Sequence, residues 1–494
     1  MEQWTNKQVL VLGLGESGLA MAQWLDRQGA RVRVADSRTE PPFAAELKRV
    51  APAAQLVTGP FGSELLAGVD VFGLSPGLAL SEPLVVKAVA RGIPVVGEIE
   101  LFARALRDLS LREGCKIVAI TGTNGKTTTT SMVGAMCRAA GKVTAVAGNI
   151  SPAALSALMT CLDAGKLPEV WVLELSSFQL ETTESLAADA AAVLNVSDDH
   201  MDRYAGLDDY AAAKARIFAG GGAQVLNRQD ARVMAMARAV SRRLTFGVDA
   251  PAAADDFGLA EGWLMQGNER LLRTDDLAVS GLHNAANALA ALALCRSIGL
   301  PPAPALEALR AFKGLSHRVE KIAEIEGVAW YDDSKGTNVG ATVAALQGLG
   351  GQMAAQTGHL PPAGREDGRV GSTLAAAGYQ SNRKIVLIAG GDGKGQDFTP
   401  LGPALAGHAR ALVLIGRDAT RIEAAVAGCG VSVLHAQDMD QAVRKAAVAA
   451  RAGDAVLLSP ACASFDMYRN YAHRAEVFAA AVRQLAVSRQ KELQ

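Results

Sequence analysis

Apolar runs alternate with amphipathic stretches along most of this chain. The run Val9-Leu10-Val11-Leu12 is followed by helical spacing from Ser17 to Gln28 and by the alternating Val32-Arg33-Val34; Val69-Asp70-Val71-Phe72 then precedes a Ser75-Pro76-Gly77 turn. Strands that alternate with helices predict parallel sheets covered on both faces. The pattern yields to a polar stretch over 106–114, which marks a first boundary. A second unit opens at Lys116-Ile117-Val118-Ala119 and carries strand candidates at Trp171-Val172-Leu173, Ala192-Val193-Leu194 and Gln224-Val225-Leu226. A third begins near Gly314-Leu315-Ser316-His317-Arg318, with strands at Ile385 to Ile388, Leu412 to Ile415 and Ala455 to Leu458. The expected domains are 1–108, 109–313 and 314–494. Residues 350–383 form a Gly-, Ala-, Gln- and Pro-rich insertion. It exceeds the ~12–15 residues of an ordinary structureless loop and reads as a mobile surface segment.

Composition agrees with three α/β layers. A chain of 494 residues divides naturally into domains of ~100–200 residues, each able to bury a core. Half the residues are hydrophobic, 20% are charged and only 5% are aromatic, with 50 glycines, which favours closely packed α/β layers over an all-β sandwich. The net charge of -1 argues against a general nucleic-acid surface, which needs a basic excess. The six cysteines lie far apart with no C-x-x-C pair, so they suggest neither a zinc site nor a disulfide framework. No apolar stretch approaches the ~20 residues of a membrane span. The start, Met1-Glu2-Gln3-Trp4, lacks a signal-peptide pattern. A cytoplasmic protein without membrane insertion is expected.

Two glycine signatures compete for a phosphate ligand. Gly13-Leu14-Gly15-Glu16-Ser17-Gly18 is a full G-x-G-x-x-G, with Asp36 after the next strand; it fits the pyrophosphate of a dinucleotide, a UDP-sugar, or a turn with no ligand. Thr121-Gly122-Thr123-Asn124-Gly125-Lys126-Thr127 follows a strand and opens a helix, yet only two residues separate its glycines where the standard phosphate loop has four. Its glycines admit close backbone approach, Lys126 supplies a cation, and Thr127 offers a hydroxyl to Mg2+. Glu174 and His200 each follow a strand candidate, on the rim where parallel sheets bind ligands. By itself Lys214 reads as an ordinary helix-surface lysine. His283 and Asn287 share a helical face, with capping by Asn284 as the bland alternative.

Taken together, the short-spaced loop, His283-Asn284-Ala285-Ala286-Asn287 and Asp333-Ser334-Lys335 resemble the Mur ligases, ATP-dependent amino-acid ligases of peptidoglycan synthesis. Leu173 to Leu180, Asp199-His200-Met201-Asp202-Arg203-Tyr204 and Ser459 to Asp466 narrow the resemblance to members that add D-glutamate to UDP-N-acetylmuramoyl-L-alanine. The resemblance implies an α/β fold of three domains: Rossmann-like at the N-terminus, a central P-loop ATPase-like domain with a parallel or mixed sheet, and Rossmann-like at the C-terminus. It implies ATP contacts at Gly122, Thr123, Asn124, Gly125, Lys126, Thr127, Thr128, Asn284, Asn287, Arg318 and Asp333. Glu16, Ser17, Asp36, Ser37, Arg38, Ser75, Gly77, Asn149 and Gln179 would meet the UDP-sugar. Lys335, Thr337, Lys394, Ser464, Phe465 and Tyr471 would meet D-glutamate. Thr127, Glu174, His200 and a carbamylated Lys214 would bind two Mg2+ ions, replaceable by Mn2+, and Lys126, His200 and Lys214 would be catalytic. Ser151 and Tyr471 stand where Gly and Phe are usual. A monomer is expected. A sibling or folylpolyglutamate-synthase-like ligase, a non-catalytic nucleotide-binding regulator and an NAD-dependent oxidoreductase are the alternatives.

Overall fold

A computed structural model describes residues 4–239, 242–279, 281–355 and 383–492. The backbone forms three sheets and two compact units. The first unit comprises Met1–Val196, Arg203–Ala278 and Ala285–Phe312; the second comprises Ser197–Asp202, Val279–Asn284 and Lys313–Gln494.

In the first unit, a parallel five-stranded sheet runs in the order Gln55–Thr58, Arg31–Asp36, Gln8–Leu12, Val71–Leu74, Val95–Val96. The strand order reverses between Gln8–Leu12 and Val71–Leu74. Their carboxyl ends therefore open the crevice that such sheets use for ligands. The second sheet has nine strands, in the order Glu269–Arg273, Trp263–Gln266, Phe257–Ala260, Arg243–Phe246, Ala223–Asn227, Ala190–Val193, Lys116–Thr121, Val170–Glu174, Thr144–Gly148. Its centre is parallel, with Lys116–Thr121 flanked by Ala190–Val193 and Val170–Glu174. The first three strands form an antiparallel meander that the apolar pattern does not announce.

The second unit holds a six-stranded sheet in the order Glu320–Ile325, Val328–Asp332, Ala455–Leu458, Ile385–Gly390, Ala409–Ile415, Ser432–His435, parallel except for the first pair. Alternate residues of its central strands enter opposite cores. Leu387, Leu412, Leu414 and Leu457 pack with Leu346, Phe398 and Leu405 on one face. Val386, Ile388, Val413 and Val456 pack with Val443 and Phe478 on the other. This period of two explains why these strands read as continuous apolar runs.

Three expectations change. Lys214, on helix Leu207–Ala215, is not a surface lysine: only 1% of it is exposed, and its ammonium reaches the Gly122 carbonyl and the Tyr210 ring. Asn284 does not cap a helix, since Leu282–Ser297 has already begun at that point. The first part of the 350–383 insertion is helical, within Val339–Ala355, and 356–382 lie outside the described residues, so the mobile-segment reading is left aside. Among the described residues no helix is long and apolar enough to cross a membrane.

Candidate active site

The first glycine loop is organised from within. Gly13 has φ +88°, and a Cβ on Gly18 would lie 1.9 Å from the Gly13 carbonyl oxygen, so the third glycine is needed where helix meets strand. Asp36 accepts from the Leu14 amide at 2.7 Å and from the Arg38 guanidinium at 2.6 and 2.8 Å. Burial would raise its pKa, but the Arg38 side chain and the Leu14 and Arg38 amides outweigh burial and hold it at about 2. Asp36, expected to meet the UDP-sugar, thus already shapes the loop. Ser75 is buried, with its Cβ 3.0 Å from where a Cβ on Gly13 would stand; Gly77, Ser37 and Arg38 are exposed. Glu16 accepts from Ser151 Oγ at 2.6 Å and from the Ala153 amide at 3.1 Å, and so joins the first loop to the segment that follows Asn149. Ser17 is half-buried in the first turn of helix Glu16–Arg27.

The short-spaced loop lies on the rim of the nine-stranded sheet. Gly125 has φ +83°, and a Cβ there would stand 2.3 Å from Asn287 Oδ1, so a side chain is barred by both backbone and space. Helix Lys126–Ala139 begins immediately after it. Its first-turn N–H groups and dipole favour an anion. Asn195 clamps the loop, accepting from the Asn124 amide at 2.8 Å and donating to the Asn124 carbonyl at 3.1 Å. Lys126 Nζ donates to the carbonyls of Gly122 and Thr123, both at 2.7 Å, and Lys214 Nζ reaches the Gly122 carbonyl at 3.1 Å. Lys214 also sits over the Tyr210 ring, 4.2 Å from its centroid.

Glu174 pairs in register with Ile120 and Gly148, which places it at the same rim. Its Oε1 accepts from Asn149 Nδ2 at 2.8 Å, while its Oε2 is buried with no hydrogen-bond partner among the described residues. Thr127 and Thr128 are buried beside the loop. Buried carboxylate and hydroxyl oxygens suit a hard cation such as Mg2+. The ammonium of Lys214 as it stands cannot ligate a cation. Gln179 is occupied in a capping box: its side-chain oxygen accepts from the Ser176 amide at 3.0 Å, and Ser176 Oγ accepts from the Gln179 amide.

The remaining expected residues belong to the second unit. Asp199 accepts from Lys394 Nζ and from Asn338 Nδ2, the latter at 3.1 Å, and His200 Nε2 lies 3.7 Å from it. Asp333 accepts from Ser459 Oγ at 2.6 Å; burial pushes its pKa up to about 7 against the pull of Ser459 and Arg318. His283 lies near Arg318 and is held below the usual histidine range, chiefly by burial. Lys335 Nζ stands 5.2 Å from the Tyr471 ring centroid, Thr337 is half-buried, Ser464 is buried, and Phe465 is exposed. The structure therefore gathers Gly122 to Thr128, Asn149, Glu174, Lys214 and Asn287 in the first unit, and His200 with Lys394, and Arg318 with Asp333, in the second.

Comparison with known proteins bears on every domain. The Mur ligase middle domain matches residues 120–295, the MurD-like N-terminal domain of Mur ligases matches 7–97, and the glutamate ligase domain of Mur ligases matches 368–462. A UDP-N-acetylmuramoylalanine–D-glutamate ligase of Aromatoleum aromaticum is 55% identical over 98% of this chain and 99% of its own. One from Nitrosospira multiformis is 54% identical over 97% and 96%. The chain belongs to the Mur ligase family. Among solved structures, the UDP-N-acetylmuramate–alanine ligase of Thermotoga maritima shares the fold, with TM-score 0.59 at 20% identity over 97% of this chain and 99% of that one.

In this Mur ligase several structuring residues had been given no role by the sequence. Arg203 donates to the Pro76 and Leu78 carbonyls at 2.8 and 2.9 Å and to Glu181 at 2.9 Å, fixing the Ser75-Pro76-Gly77 turn of the first domain to the middle one. Arg474, 1% exposed, donates to Ser334 Oγ, the Ser334 carbonyl and the Cys462 carbonyl at 3.0, 2.8 and 3.1 Å. It ties the Asp333-Ser334-Lys335 and Ser459 to Asp466 segments into one piece. Asp199 and Arg203 lie in the quoted segment around His200, which is the local signal that could have found them.

Proposed function

We propose that this chain is the ATP-dependent ligase that joins D-glutamate to UDP-N-acetylmuramoyl-L-alanine, releasing ADP and phosphate, and that it acts as a cytoplasmic monomer in peptidoglycan precursor synthesis. The observation that carries the reading is the rim where a glycine loop, a helix start, Lys126, Thr127 and the open oxygen of Glu174 converge. The names of the 54–55% identical relatives supply the substrates.

A carboxylate resists attack by an amine because its charge repels the nucleophile and oxide is a poor leaving group. Transfer of the γ-phosphoryl group to the L-alanyl carboxylate gives an acyl phosphate. The D-glutamate amine then adds to its carbonyl, and the tetrahedral intermediate expels phosphate. Gly122 to Thr128 would cradle the triphosphate, with Lys126 moving from its loop carbonyls to the phosphates. Asn284, Asn287, Arg318 and Asp333 would complete the nucleotide site, Arg318 through its planar donor fork. Thr127, Glu174 and His200 would hold two Mg2+ ions, or Mn2+, with Lys214 as a carbamate that turns a buried ammonium into an oxygen donor. Bound Mg2+ would supply charge neutralisation on the transferring group. Glu16, Ser17, Asp36, Ser37, Arg38, Ser75, Gly77, Asn149 and Gln179 would hold the UDP-sugar, and Lys335, Thr337, Lys394, Ser464, Phe465 and Tyr471 would hold D-glutamate. Phosphate release from ATP and UDP-N-acetylmuramoyl-L-alanine should require D-glutamate, fail with L-glutamate and vanish in Lys126→Ala. Equal release with other amino acids would defeat the substrate assignment.

A further inference from the structure

The reaction needs a proton acceptor, since the amine of D-glutamate arrives as an ammonium whose lone pair is unavailable. His317 stands in a constellation suited to that task. Its Nδ1 lies 2.6 Å from Asp332 Oδ2, and Asp332 is itself anchored at Oδ1 by the Ser334 amide at 2.9 Å. Only 3% of the Asp332 side chain is exposed, against 31% of His317. An ionised carboxylate only accepts, so Asp332 in that form would fix the proton on Nδ1 and leave the Nε2 lone pair for an incoming donor.

The neighbours point to an ammonium. The Glu320 carboxylate comes within 4.8 Å of the His317 and Asp332 ligand-type atoms and accepts from the His317 amide at 3.0 Å. These three side chains have metal-type spacing, but the His317–Asp332 contact is a hydrogen bond that a cation would have to break. The Lys335 amide donates to the His317 carbonyl at 3.2 Å, and the Tyr471 ring stands edge-on, 6.2 Å from the imidazole. Lys335 and Tyr471 are two of the residues assigned above to D-glutamate, and Arg318 is the next residue in the chain.

Resting on that assignment, we propose that His317 is the general base for the incoming D-glutamate amine, with Asp332 as its positioning residue. His317 Nε2 takes one ammonium proton, and the freed lone pair forms the C–N bond to the acyl carbon. Collapse of the tetrahedral intermediate breaks the C–O bond to phosphate. The second nitrogen proton leaves with the phosphate, and the imidazolium returns its proton to solvent.

Hydroxylamine separates the two halves of the reaction, because it traps an acyl phosphate as a hydroxamate without needing a base. In His317→Gln and Asp332→Asn, hydroxamate formation from ATP and UDP-N-acetylmuramoyl-L-alanine should stay within about twofold of the unaltered enzyme, whereas kcat with D-glutamate should fall about 100-fold. The D-glutamate rate should recover as pH rises, since free amine then forms without help. A parallel loss of both activities, a defect confined to KM, or a pH profile of unchanged shape would overturn the proposal. Failure of the unaltered enzyme to form any hydroxamate would instead strike the ligase reading itself.

Discussion

Glu98 offers a stability test whose sign and size come directly from the structure. It opens helix Glu98–Asp108 and is 2% exposed, with Oε1 accepting from the Leu155 amide at 2.6 Å and Oε2 buried without a partner among the described residues. Burial pushes its pKa from 4.5 up to about 7, aided by Glu16 and opposed by the Leu155 and Ala154 amides. The folded state thus binds the proton more tightly than the unfolded chain. Its contribution is complete below about pH 4.5 and is lost as pH rises through about 7. A shift from 4.5 to about 7 is worth about 3 kcal/mol in full, of which about 2–3 kcal/mol falls between pH 5 and pH 9. Urea unfolding of the parent and of Glu98→Gln at those two pH values isolates this term, because every other titration cancels in the difference. Trp171 reports the correct region, since its ring lies 5.0 Å from that of Phe102 on the same helix. The parent should lose about 2–3 kcal/mol relative to the variant on going from pH 5 to pH 9. An identical difference at both pH values, or one of opposite sign, would refute the reasoning.

If Glu174 holds Mg2+ as proposed, Glu174→Gln should raise the Mg2+ concentration needed for half-maximal ATP turnover by at least about tenfold, measured by metal titration, because an amide replaces the carboxylate oxygen. If Lys394 holds D-glutamate as proposed, Lys394→Ala should raise KM for that substrate by about 10–100-fold, through loss of one charge-assisted contact, and leave hydroxamate formation intact. Arg474→Met should lower the unfolding free energy of the C-terminal unit by about 2–4 kcal/mol in urea titrations followed at Trp330, because the Ser334 and Cys462 carbonyls lose their buried donor.

The legibility of this chain followed the range of its interactions. The two glycine loops were readable because their requirements are local: a positive φ at Gly13 and Gly125, and the close approach of Gly18 to the Gly13 carbonyl. The central strands were readable because burial on both faces leaves apolar runs. Lys214 was misread because Ala211, Ala212 and Ala213 give its helix no periodicity, and a lysine beside alanines looks solvated until its surroundings are known. The antiparallel meander was passed over because each strand, such as Trp263–Gln266, is short, although the Glu261-Gly262 and Gly267-Asn268 turns between them were present in the sequence. Arg474 acts on Ser334 across 140 positions and Asn195 on Asn124 across 71, separations at which no local pattern informs. Asp36 was legible as the acid after the glycine signature, but not its engagement with Arg38 and Leu14.

The central claim is that phosphoryl transfer to the substrate carboxylate precedes amide formation. UDP-N-acetylmuramoyl-L-alanine labelled with 18O in its terminal carboxylate tests this most directly when turned over with ATP and D-glutamate. One labelled oxygen should appear in each inorganic phosphate released, with ADP as the nucleotide product. Unlabelled phosphate, or AMP and pyrophosphate in its place, would contradict the account.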